Sequence, residues 1–278
     1  MGRRASPAPD GQGRPRRRDP EPHPRAPGQR PRRWGRSLTG RPAGDPAIPS
    51  DAAEPARILA GALDALAATV RHHRDLGLTH LPLGDYLLRP PEALAAQERA
   101  LQGCRRCRLC EGRTTIVFGA GNPYAEFVCI GEGPGADEDA QGLPFVGRAG
   151  QLLTRMLESV QLSRDEVYIC NAVKCRPPGN RNPEPDELAA CAPFLAAQLA
   201  VLRPKVVLAL GSVAAQTLLR TREPIGKLRG RVHPFGAGVL VPTFHPAFLL
   251  RNPGPEYRRM AWEDLKLARR EYDQRRTR

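Results

Sequence analysis

The sequence predicts an α/β protein whose sheet is largely parallel and covered on both faces. Four short, mostly continuous apolar runs at 127–131, 167–171, 206–211 and 239–244 alternate with amphipathic helical segments at 149–160, 185–202 and 212–219. Strands that are apolar at nearly every position, without polar alternation, are strands buried on both sides, and helices between them are the usual cover. The richest Gly, Pro and polar strings lie at the ends of these runs, where open α/β sheets bind ligands.

The elements follow in chain order. The first 50 residues hold 12 Arg, 11 Pro and four acidic residues, so they carry +8 of the net +14 of this 278-residue chain. Such a composition cannot bury a core, and 1–52 is expected to be a disordered Arg/Pro-rich extension. It either holds nucleic acid by counterion release, which needs no fold, or has no task of its own. Residues 53–95 comprise a helix and a linker. Ile58, Leu59, Leu63, Leu66 and Val70 stand at helical spacing and predict a helix over 53–73, and 77–91 reads as the linker. A folded domain is expected over 96–272, opened by a helix that leads into Cys104. The residues beyond the first 50 remain net basic by +6, which fits a nucleic-acid partner. No apolar run approaches the roughly 20 residues of a bilayer span, and the start of the chain has no hydrophobic signal core, so a cytoplasmic protein without membrane contact is expected.

Seven cysteines are present, and four of them form Cys104-x2-Cys107 and Cys175-x15-Cys191. A tight pair with two distant partners suits a metal centre that staples remote segments, and a reducing compartment suits thiolate ligands. Zinc and an iron-sulfur cube both accept four thiolates. The lack of a second C-x2-C knuckle favours iron, but the spacing alone does not decide. Cys129 and Cys170 sit inside apolar runs and read as buried strand residues. Cys110 extends the first pair to C-x2-C-x2-C, as either a competing ligand or a free thiol beside the centre.

Each strand end carries chemistry. Gly131-Glu132-Gly133-Pro134-Gly135 lets backbone approach a flat ligand, and Asp137, Glu138 and Asp139 follow it; an acidic turn is the plainer reading. In Gly142-Leu143-Pro144-Phe145-Val146-Gly147, Phe145 offers a face on which a base could stack, or else anchors the loop in the core. Asn171 carries an amide whose acceptor and donor match N3–H and O4 of uracil, while cytosine presents the reverse; a lone Asn here is also a common turn residue. His245, before Pro246 and Ala247, can stabilise charge on a leaving group. Leu249 and Leu250, beside Arg251, could enter a duplex at the gap left by an extruded nucleotide, or form one turn of an amphipathic helix.

Taken in order, these strings closely resemble the type 4, iron-sulfur uracil-DNA glycosylases of the uracil-DNA glycosylase superfamily, over roughly 101–270. The resemblance implies a three-layer α/β/α sandwich around a short, mainly parallel sheet. It implies a 4Fe-4S cluster on Cys104, Cys107, Cys175 and Cys191, and a uracil site in which Gly131, Glu132 and Gly133 line the pocket. Phe145 then stacks on the base, Asn171 reads its edge and His245 contacts O2. It further implies hydrolysis of the N-glycosidic bond of deoxyuridine in single- and double-stranded DNA, leaving an abasic site. Relatives outside type 4 often direct water from Asp or Asn at the position of Gly133. Glu132 is the expected replacement here, with Asp137 next; Asp137 could instead approach C5 and exclude thymine. A related branch captures the sugar on a histidine of an inserted loop. The stretch 176–183 has no histidine, so hydrolytic turnover is expected, by a monomer whose tail could meet replication or repair proteins. The competing reading is a DNA-binding or redox-sensing iron-sulfur protein with weak or lost hydrolysis.

Overall fold

The computed structural model describes residues 67, 71 and 89–276. The tail 1–52 and most of the predicted helix and linker lie outside the described residues, except that Ala67 and Arg71 are helical. Helix α1 (Pro90–Leu101) starts earlier than the domain boundary expected at 96. Its prolines, read from sequence as the end of a linker, open the helix instead, because a fixed φ and a missing N–H suit the first turn.

A short helix α2 (Leu109–Gly112) precedes strands β1 (Ala120–Gly121) and β2 (Phe127–Gly131). Next come α3 (Ala136–Gln141), α4 (Arg148–Ser159), β3 (Tyr168–Asn171) and α5 (Pro185–Leu202). Strand β4 (Val206–Leu210), helices α6 (Ser212–Leu219) and α7 (Ile225–Leu228), and strands β5 (His233–Phe235) and β6 (Gly238–Thr243) continue the alternation. Helices α8 (Pro246–Arg251) and α9 (Pro255–Arg276) close it.

The strands form one sheet in the order β1-β3-β2-β4-β6-β5. Strands β3, β2, β4 and β6 run parallel, and β1 and β5 are antiparallel edges. Every residue of β2 and β4 is buried, as their unbroken apolar sequence requires. Their side chains alternate between two cores. Phe127, Cys129, Val206, Leu208 and Leu210 face α4 and α9 through Leu153, Leu157, Leu265 and Tyr272. Val128, Ile130, Val207 and Ala209 face α1, α5 and α6 through Leu101, Leu195, Leu199 and Ala215. This is the expected three-layer sandwich, and each fully buried Val, Leu, Ile or Phe contributes roughly 1.5–3 kcal/mol. Helix α5, with a mean hydropathy of 1.2 over 18 residues, is apolar enough on length and composition to match a bilayer span, yet its leucines pack on the sheet.

Register delivers the motifs to one end of the sheet. Gly131 pairs with Asn171, and Leu210 pairs with Thr243, so the segments that follow β2, β3, β4 and β6 emerge side by side.

Candidate active site

A cavity of about 450 Å³ opens beyond these four strand ends. Glu132 and Gly133 line it after β2, Asn171 at the end of β3, Gly211 and Ser212 after β4, and Phe244 and His245 after β6. Phe145 and the 180–182 loop close its sides, and Arg251 stands at its edge.

Asn171 is 1 % exposed, and its Oδ1 is buried with no hydrogen-bond partner among the described residues. An unpaired buried carbonyl is costly unless a ligand supplies the donor. Gly131 lies against this amide, and a Cβ on Gly131 would clash with Asn171 Oδ1 and stand 2.6 Å from Phe145 Cζ. The glycine therefore brings backbone, amide and aromatic ring together. Phe145 sits at φ 53°, a left-handed conformation costly for a bulky residue. Arg164 holds it there, donating to the Phe145 carbonyl at 3.1 Å and the Pro144 carbonyl at 3.0 Å. Glu138 clamps the same loop, accepting from the Val146 and Gly147 amides at 2.9 Å each and from the Gly135 amide at 3.1 Å.

His245 caps α8 with its side chain, and its Nδ1 accepts the Ala247 N–H at 3.1 Å. The ring proton of the neutral imidazole therefore lies on Nε2. Burial, helped by the charge of Arg251, lowers the His245 pKa to about 4, so the ring is neutral at pH 7. It lies 5.6 Å from Phe145 between ring centroids. Burial raises Glu132 to about 7, with Arg251 acting in the opposite sense. A carboxyl near neutrality in a cavity is matched to accepting a proton from water. A Cβ on Gly133 would lie 2.8 Å from Val173 Cγ2, so that position has no space for a carboxylate of its own. Asp137 is exposed, stands against Gly147 and does not line the cavity.

The proposed DNA-contact residues divide. Leu249 is 4 % exposed and belongs to the core beneath α4 and α9, so it has no side chain to offer a duplex. That corrects its reading as an insertion residue, since helical geometry turns one of two adjacent leucines inward. Leu250 is 36 % exposed, and Arg251 is exposed at the cavity edge.

Three of the four spaced cysteines share one packed cluster, and Cys104 acts on two of them as an electrostatic neighbour. Cys175, Cys191 and Cys107 pack with Leu109 and Val173, and all are free thiols. Burial raises the thiols of Cys107, Cys175 and Cys191, the last to about 11. Neighbouring thiols add to this: Cys107 and Cys104 act on Cys175, and Cys175 and Cys107 act on Cys191. Arg113 donates to Cys175 Sγ and the Lys174 amide donates to Cys191 Sγ, each at 3.3 Å. Cys175 and Cys191, buried and already accepting N–H bonds, suit thiolate ligands of a metal centre, since a bound cation deprotonates a coordinating thiol. Cys110 is partly exposed on α2 beside Cys107, while Cys129 and Cys170 are buried in β2 and β3. Among the described residues no group of three or more His, Cys, Asp or Glu is placed so as to hold a metal ion.

Sequence reasoning missed Arg164 and Glu138, which hold the Phe145 loop without forming any recognisable string. Glu138 did carry a signal, since it stands three residues after Gly135 at the start of a helix, where a carboxylate meets free N–H groups.

Residues 118–266 match the family model described as the uracil DNA glycosylase superfamily. The chain is 44% identical over 180 residues to the type-4 uracil-DNA glycosylase of Thermotoga maritima, covering 64% of this chain and 94% of that protein. It is 45% identical over 172 residues to the type-4 uracil-DNA glycosylase of Saccharolobus solfataricus, covering 59% and 79%. A type-5 uracil-DNA glycosylase of Thermus thermophilus is 36% identical over 141 residues, covering 45% and 62%.

Proposed function

The chain belongs to the uracil DNA glycosylase superfamily, and on that premise we propose that it hydrolyses the N-glycosidic bond of deoxyuridine in single- and double-stranded DNA. Uracil is released and an abasic site remains. The observation that carries this reading is the buried, unpartnered Asn171 Oδ1 facing a cavity shared with Phe145 and His245.

An extruded uracil donates N3–H to Asn171 Oδ1 and accepts from its NH2 at O4, so cytosine would leave both groups opposed. Phe145 covers one face of the base. As the C1′–N1 bond breaks, its electron pair moves into the uracil ring, and the neutral His245 donates its Nε2–H to O2, where charge develops. Glu132 orients the water that adds at C1′ and takes up its proton. Arg251, Arg181 and Leu250 are the residues at and near the cavity edge that would meet DNA. Cys104, Cys107, Cys175 and Cys191 would hold a 4Fe-4S cluster, which would supply no chemistry to hydrolysis and would join the 104–107 turn, the segment after β3 and α5. Their donor set supports it, since each ligand of a cube binds its own iron and needs no shared focus.

Single-turnover excision on a labelled oligonucleotide with one uracil, using anaerobically purified protein with iron and zinc quantified in the same sample, tests this. Uracil release with about four irons per chain is expected. A loaded protein that binds the DNA and releases nothing would instead mark a binding or sensing protein.

A further inference from the structure

Lys174 is fully buried, and among the described residues no carboxylate pairs with it. Its Nζ donates to the Asn171 carbonyl at 2.8 Å and to Gln198 Oε1 at 2.5 Å, and lies 6.0 Å from the centroid of Phe118. Its own amide donates to Cys191 Sγ at 3.3 Å, and its carbonyl accepts from the Val117 amide at 2.8 Å. Gln198 is itself buried and fixed by the Phe118 carbonyl at 3.0 Å, which its Nε2 donates to. An ammonium held only by neutral acceptors in a dry site is costly, and cores keep such a charge when an opposite one lies near. The groups at hand that can carry negative charge are thiols: Cys191, which already accepts the Lys174 amide, feels the Lys174 charge, as does Cys170 buried in β3.

We propose that Lys174 is a positioning residue that joins base reading to the cysteine centre, its ammonium fixing the Asn171 carbonyl while the thiolates of that centre balance its charge. This rests on the reading of Asn171 as the uracil reader and of the four cysteines as an iron-sulfur site. The side-chain amide of Asn171 leaves a backbone whose carbonyl is held from behind by Lys174. Releasing that carbonyl frees the amide to drift from the base edge, and small displacements of a reading group slow reaction steeply. The segment 171–175 thus places reader, positioning residue and ligand in five consecutive positions.

The test is Lys174→Met in the full chain, which keeps length and apolar packing and removes the charge and both donors. Wild type and variant are compared at matched iron occupancy, by single-turnover rate, DNA affinity and midpoint potential of the cluster. The rate is expected to fall about tenfold with DNA affinity kept within about twofold, as for the loss of one charged hydrogen bond acting on the reacting complex. The potential is expected to move negative, because removing a positive charge disfavours the more reduced cluster. An unchanged rate or an unchanged potential overturns the inference. Should Lys174→Met not fold, Gln198→Leu withdraws one acceptor and keeps the charge. A rate loss of about threefold with an unmoved potential is then expected, and a wild-type rate overturns the inference. Wild-type protein that binds no iron or releases no uracil overturns the underlying reading together with this one, whereas a loaded, active wild type beside an indistinguishable variant overturns this one alone.

Discussion

At the scale of single residues, the cavity is organised by what each polar group lacks. Asn171 Oδ1 has no partner among the described residues, so its energetic deficit is removed by a ligand with a donor at the right place. Asn171→Asp keeps an acceptor there and replaces the NH2 donor by a second oxygen facing O4. The single-turnover rate should fall by about 10²- to 10⁴-fold with the fold intact, and a near-normal rate would remove the amide from base reading. Glu132 yields a pH dependence. Burial raises its pKa to about 7, so the carboxylate proposed to orient water is lost as pH falls below 7. The excision rate should therefore rise with pH through about 7 and then level, and Glu132→Gln should be slow and flat across the same range. Linkage has the opposite sign: an unfolded Glu ionises from about 4.5, so this carboxyl favours the fold below 4.5 and loses that contribution as pH rises through 7. Stability and activity at this residue thus run against each other between 4.5 and 7, which denaturation and rate profiles on one preparation would reveal.

At the scale of elements, the start of α5 ties the rim of the cavity to the turn bearing Cys104 and Cys107. Glu187 is fully buried and accepts from Arg108 Nε at 2.9 Å, from Arg181 at 2.8 and 2.7 Å, and from the Glu184 amide at 2.8 Å. Arg181, itself a cavity residue, pulls the Glu187 pKa down to about 2 despite burial. The stability this provides is complete above about 4.5 and is lost as pH falls through 2. Glu187→Gln should cost about 1–3 kcal/mol at neutral pH and flatten that acid dependence, measured by urea unfolding at several pH values. Elements also mark where the sequence was readable. Strands β2 and β4 were legible because both faces are buried and every position is apolar. Helix α9 was not, because its buried stripe of Ala261, Asp264, Leu265, Ala268 and Tyr272 contains small and polar residues amid many charges. Edge strands β1 and β5 span only two and three residues and carry too little pattern to detect. The site followed the same rule: Asn171, Phe145 and His245 stand in strings at strand ends, whereas Arg164, Glu138 and Gln198 act through contacts that only folding creates. Leu249 and Leu250 are chemically identical, and only the helix phase of α8 separates the core residue from the exposed one.

At the scale of the whole molecule, charge is distributed unevenly along the chain. The first 50 residues carry +8 of the net +14, with Arg as their only cationic side chain. From that composition, a role in DNA binding is expected to be polyelectrolyte in kind, visible as counterion release instead of sequence choice. Each phosphate that a cation neutralises adds about 0.9 to the steepness of log affinity against log salt on duplex DNA. Deleting residues 1–50 should flatten that slope by several such increments and weaken binding at low salt. The single-turnover rate at saturating short oligonucleotide and high salt should be unchanged, because Asn171, Phe145, Glu132 and His245 are untouched. Uracil preference should also be unchanged, since phosphate contacts position a protein and base contacts specify. If the slope stays the same, DNA attraction resides in the folded region, with Arg181 and Arg251 at the cavity edge as its first candidates. If the slope flattens while the saturated rate falls as well, the tail reaches beyond attraction into the reacting complex. Affinity titrations of both chains from low to high salt, paired with saturated rates, separate these outcomes.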